Sequence, residues 1–85
     1  MLLENRVALV FGALGLAGSA ITRDLCAQGA TVVASARRET EGESLAAELV
    51  SAGHQASFKQ ADVTSREQVT KVVDETVAEH GQLDI

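Results

Sequence analysis

The sequence predicts an α/β fold built on a parallel sheet, and three observations predict it. Short β-forming runs alternate with longer segments in which apolar residues recur every three or four positions. A glycine follows each helical segment, at Gly29, Gly53 and Gly81. Glycine is the usual residue just past a helix end, because it accepts the left-handed conformation. The first run, Val7 to Phe11, is apolar without alternation, as a strand buried on both faces is. Strands alternating with helices imply parallel pairing through right-handed crossovers. The order read is βαβαβα, then the stub of a fourth strand. Residues 1–85 form one partial domain with no linker.

The first strand, Val7-Ala8-Leu9-Val10-Phe11, ends at Gly12. Ala17, Ala20, Ile21 and Leu25 then share one face of a helix closed by Gly29. Thr31 to Ser35 is the second strand, and Arg37, Arg38 and Glu39 mark the turn after it. Thr40 with Glu43 has the spacing of a capping box, and Leu45, Ala46, Leu49 and Val50 give the second helical stripe. Gly42 in its first turn weakens that start. Ala56 to Gln60 is a short third strand. Thr64 with Glu67 is a second capping box, ahead of a stripe of Val69, Val72, Val73 and Val77. Leu83-Asp84-Ile85 opens the fourth strand.

Composition narrows the function. The chain has 85 residues, a net charge of −5 and no block of like charge, which argues against a nucleic-acid partner. No apolar run approaches the roughly 20 residues of a membrane span, and residues 1–10 lack the pattern of a secretory signal. A cytoplasmic location is expected. The single cysteine, Cys26, cannot form an internal disulfide and reads as a small buried hydrophobe. One Cys and two separated His, His54 and His80, offer no metal-ligand spacing. The chain contains no Tyr, so a mechanism needing a tyrosine hydroxyl cannot run on these residues alone.

Gly12, Gly15 and Gly18 lie between the first strand and the first helix. In that position one glycine permits the tight turn, another admits a pyrophosphate to the backbone, and the last lets the helix pack on the sheet. The helix N-terminus offers N–H groups and a positive dipole end to phosphates. This is the dinucleotide-binding arrangement of a doubly wound, Rossmann-type sheet; a plain tight turn without ligand is the alternative.

The segments Val-Phe-Gly-Ala-Leu-Gly-Leu-Ala-Gly-Ser-Ala-Ile, Gly-Ala-Thr-Val-Val, Ala-Asp-Val-Thr and Gly-Gln-Leu-Asp-Ile occur in that order. Together they resemble the short-chain dehydrogenase/reductase family over nearly the whole chain, with the later segments most like its classical subfamily. The family's turn reads Thr-Gly-x-x-x-Gly-x-Gly. Here Phe11 stands in place of the Thr and Leu16 in place of the second Gly, while Gly15 supplies a glycine one position early. The resulting Gly-x-x-Gly-x-x-Gly spacing is similar to the extended subfamily. It puts Leu16 either beside the pyrophosphate path or into the core.

NAD binders usually carry an acid at the end of the second strand, to bond the ribose hydroxyls. That position is Ala36, followed by Arg37 and Arg38. Guanidinium groups attract a 2′-phosphate, so NADP is expected over NAD. The resemblance implies that Arg37 is the NADP-selecting base, and Ser35 could add a hydrogen bond. The alternative is a solvated turn in which the arginines pair with Glu39 or Glu41. By resemblance, Asp62 and Val63 hold the adenine, the carboxylate accepting from its amino group. Asp62 could equally brace the turn before the third helix.

The resemblance also implies what is missing. Family members use a Tyr-x-x-x-Lys pair, a Ser and an Asn for catalysis, and none of these positions can be carried over. The expectation is the N-terminal, NADP-binding part of an oxidoreductase, whose parent is homo-oligomeric. An isolated chain is expected to self-associate through the exposed edge of its first strand. A non-catalytic nucleotide-binding module and an inert remnant remain alternatives.

Overall fold

In the computed structural model, which describes residues 2–85, strands β1 (Val7–Phe11), β2 (Thr31–Ala36) and β3 (Ala56–Gln60) alternate with helices α1 (Leu16–Ala27), α2 (Glu39–Ser51) and α3 (Arg66–His80). Met1, the first residue of the amino-terminal stretch, lies outside the described residues. The strands pair in parallel in the order β1-β2-β3. The expected Rossmann-type α/β arrangement is therefore present. Among the described residues no helix is long and apolar enough to cross a membrane.

The register explains the layers. Ala8, Val32 and Ala56 stand side by side, as do Val10, Ala34 and Phe58. These residues share a core with Cys26, Leu45 and Leu49 from α1 and α2. The Phe58 ring occupies the space where a Cβ on Gly42 of α2 would sit. Gly42 thus costs helix propensity but lets α2 lie directly on β3. The next residue, Lys59, reaches Glu79 at 2.7 Å and Glu75 at 3.5 Å on α3. Successive strand side chains point to opposite faces, so α2 and α3 cover opposite faces of the sheet.

The stub runs along the outer edge of β1. The Leu9 N–H donates to the Ile85 carbonyl, and the Asp84 N–H donates to the Val7 carbonyl, both at 2.9 Å. The Val7 N–H in turn donates to Oδ2 of Asp84 at 2.9 Å. The exposed edge expected on β1 is correspondingly shorter, because this stub already pairs with Val7 and Leu9.

Local expectations on all three helices need correction, and on α2 Val50 is exposed rather than part of the buried stripe. On α1 the buried residues are Thr22 and Cys26, whereas Ala17, Ala20 and Ile21 are exposed. Thr22 donates its hydroxyl to the Gly18 carbonyl at 2.8 Å, which leaves a methyl to pack and lets a polar residue lead the buried face. Thr76 does the same on α3, donating to the Val72 carbonyl at 2.7 Å, while Val77 is exposed. Neither capping box forms as read. α2 begins at Glu39, with Arg38 as N-cap and the Gly42 N–H already bonded to the Arg38 carbonyl, so Thr40 lies inside the helix. α3 is capped one residue later than expected, by Ser65, whose hydroxyl accepts from the Gln68 N–H.

Candidate dinucleotide-binding site

The turn leaving β1 is built by its glycines. Gly12 has φ +68°, a conformation L side chains rarely adopt, and a Cβ placed there would meet nothing within 4 Å. The strand therefore ends in a backbone step that is open on its outer side. The Ala13 N–H donates to the Ser35 carbonyl at 3.1 Å, which ties the turn to β2. Gly18 does the packing: its Cβ would overlap the Gly12 carbonyl oxygen and come within 2.8 Å of the Gly12 carbonyl carbon.

Gly15 is the N-cap of α1 and carries no side chain to cap it. The first intrahelical bond is from the Ser19 N–H to the Gly15 carbonyl, at 2.8 Å. The amides of Leu16, Ala17 and Gly18 precede that bond, and no acidic residue occupies the first turn. This is a positive helix end without an internal counter-charge, suited to an anion.

A cleft of about 300 Å³ opens above the ends of all three strands. Gly12, Leu14 and Gly15 line it on one side, Ala36, Arg37 and Arg38 on another, and Ala61 and Val63 close it. Both arginines are exposed. Arg38 lies 3.6 Å from Glu41 in a solvated pair of the kind that contributes little.

Asp62 follows β3 beside this cleft. Its Oδ1 accepts from both the N–H and the hydroxyl of Thr64, at 2.9 and 2.7 Å. These two bonds, with a smaller contribution from the nearby Arg37 guanidinium, hold its carboxyl below the usual Asp value. Oδ2 takes part in neither bond. Gln68 of α3 accepts from the Asp62 N–H at 2.8 Å and so fixes the turn from the helix side.

Comparison with known proteins decides the lineage. Residues 6–85 match the family model for short chain dehydrogenases. The chain belongs to the short-chain dehydrogenase family. The A-factor type gamma-butyrolactone 1'-reductase (1S-forming) of Streptomyces virginiae is 40% identical over 83 residues, which are 98% of this chain and 32% of that protein. The 3beta-hydroxysteroid dehydrogenase of Mediterraneibacter gnavus is 32% identical over 96% of this chain and 30% of its own length. A metagenomic short-chain oxidoreductase solved in complex with NADP has a TM-score of 0.93 at 32% identity, covering 100% of this chain and 38% of that one. This short-chain dehydrogenase sequence spans about a third of the length of these curated relatives.

Within this short-chain dehydrogenase fold, the cleft gathers Gly12, Gly15, Arg37, Arg38 and Val63 from the residues read in the sequence, with Asp62 adjacent. Gly18 lies behind the turn. Leu16 is 93% exposed, which rules out the core placement. It opens α1 but does not line the cleft. Ser35 is corrected. It is fully buried, and its Oγ has no hydrogen-bond partner among the described residues, so its side chain presents no surface to a cofactor. Its carbonyl, bonded to Ala13, is what serves the turn. Leu14, Ala36 and Ala61 line the cleft without having been singled out as contacts. Ala36 and Ala61 lie at or just beyond strand ends, the place where ligands bind open α/β sheets, and that position was the available signal.

Proposed function

We propose that this chain is the NADP(H)-binding portion of a short-chain oxidoreductase, which in complete form transfers a hydride between nicotinamide and a carbonyl or alcohol. One observation carries the reading: an uncapped α1 N-terminus with an open glycine step and a pair of exposed arginines share a single cleft. The amides of Leu16 and Ala17 with the Gly12–Gly15 backbone suit the pyrophosphate. Arg37 and Arg38 suit a 2′-phosphate, and Ala36 offers no carboxylate to a ribose diol. Oδ2 of Asp62, outside the Thr64 bonds that hold Oδ1, suits acceptance from the adenine amino group. The similarity to an oxidoreductase solved with NADP, and to relatives named as reductase and dehydrogenase, supports the same reading.

Bound nicotinamide would supply or accept the hydride. The 85 residues hold no Tyr, so the proton donor that the family resemblance implies is not among them. By the same reading the parent enzyme is homo-oligomeric and works in the cytoplasm.

Calorimetric titration of the chain with NADP and with NAD tests the proposal. Saturable one-to-one binding with NADP the tighter ligand is expected. Tighter binding of NAD would overturn the NADP assignment, and binding of neither would overturn the cofactor reading itself.

A further inference from the structure

The β2–α2 connection carries both arginines of the proposed phosphate site, and few bonds tie its main chain to the sheet. The last backbone bond between the two strand ends runs from the Ala61 N–H to the Ala36 carbonyl, at 3.0 Å. One residue further, a side chain takes over. Gln60 stands opposite Ala36 in the register, and its Nε2 donates to the Arg37 carbonyl at 2.9 Å. The ion pair of Arg38 with Glu41 lies within the same connection and α2, so it does not anchor the segment to β3. Gln60, Arg37 and Asp62 also line one small polar pocket beside the cleft, of about 290 Å³.

We propose that Gln60 is a positioning residue for cofactor selectivity, fixing through its bond to the Arg37 carbonyl the main chain from which Arg37 reaches a 2′-phosphate. This rests on the NADP reading above. A guanidinium recognises phosphate through a planar fork, and that geometry tolerates little displacement of its backbone. A loosened segment must be ordered again on binding, which weakens the ligand that uses it. NADP uses Arg37 and NAD does not. Losing the Gln60 clamp therefore weakens NADP selectively, whereas a general loss of structure would weaken both alike.

The test uses the full chain and three variants. Gln60→Met keeps the length and removes the donor, and Gln60→Asn keeps the amide but shortens its reach. Gln82→Met removes a comparable carboxamide, bonded to the Asn5 carbonyl at 2.7 Å and distant from the cleft. Calorimetry gives the NADP and NAD dissociation constants, and amide hydrogen exchange reads residues 37–39. Both Gln60 variants are expected to lose about two- to tenfold in NADP affinity, the range set by one neutral hydrogen bond, with NAD unchanged. Exchange at residues 37–39 should quicken, and Gln82→Met should leave the selectivity ratio as it was. An unchanged ratio in the Gln60 variants, or an equal loss for both cofactors, overturns the Gln60 role alone. A parent chain that binds neither cofactor overturns the dinucleotide reading and this role with it.

Discussion

A methyl group added at Gly18 would overlap the carbonyl oxygen of Gly12, a backbone atom that cannot swing aside as a side chain can. Gly18→Ala is therefore expected to lower stability by about 1–3 kcal/mol, the usual cost of overpacking, and to shift the Gly12 turn with it. Chemical denaturation measures the first effect and loss of NADP affinity the second. Arg37 is the residue on which the proposed NADP selectivity turns. Its replacement by Ser removes a charge-assisted contact, so NADP binding should weaken by about tenfold or more while NAD binding holds. Asp62 makes a prediction that needs no ligand. Its carboxyl should titrate below a free aspartate by NMR, and Thr64→Val, which removes the hydroxyl donor, should move it back toward the ordinary value. Gly12 and Gly18 were legible in the sequence because each meets one local demand, a positive φ at Gly12 and a close approach at Gly18, and the arginines because they directly follow a strand. Ser35 was not, because which face of β2 it joins depends on the register with β1 and β3.

The helices were legible as elements and less so as faces. The rule that apolar residues mark the buried stripe failed on α1, where Ile21 is exposed and Thr22 is buried. The physical reason is that a threonine whose hydroxyl returns to its own helix behaves as a small apolar residue, and small residues are what the close glycine packing of α1 requires. Helix starts were read from residue types, but tertiary contacts chose among neighbours. Thr64 is engaged by Asp62, so Ser65 caps α3 instead. Ser65→Ala should then cost about 1 kcal/mol and Thr40→Ala almost nothing, a contrast thermal or urea unfolding can measure. Gly42, which looked like a weakness in α2, is the point where that helix meets Phe58. The place of the stub beside β1 follows from the doubly wound sheet, in which the fourth strand pairs with the first.

At the scale of the whole molecule the chain is as compact as a folded unit of its length, with a Cα radius of gyration of 11.7 Å against about 12 Å expected. Its hydrogen-bonded charged groups set opposite pH limits. Asp62, Glu79 and Asp84 have carboxyls lowered by Thr64, Lys59 and the Val7 N–H respectively. A lowered folded value means their contribution is present above the unfolded carboxylate values and is lost as pH falls through the folded ones. Lys59 is raised chiefly by its hydrogen bond to Glu79, so its contribution is full below the unfolded Lys value and fades as pH rises through the folded one. Melting temperature should accordingly drop on the acid side below about pH 4 and on the alkaline side above about pH 10. The outer edge of β1 is paired by the stub at Val7 and Leu9. Phe11 continues the same outward alternation, and we expect copies of the isolated chain to associate there, seen in sedimentation as a concentration-dependent rise in mass. The central claim is that one cleft at the strand ends holds the dinucleotide. Titration of the ¹⁵N-labelled chain with NADP tests it most directly. The account predicts amide shifts at Gly12, Gly15, Leu16, Arg37, Arg38 and Val63, with the C-terminal half of α3 unmoved. Shifts confined to other surfaces, or none at saturating NADP, would contradict it.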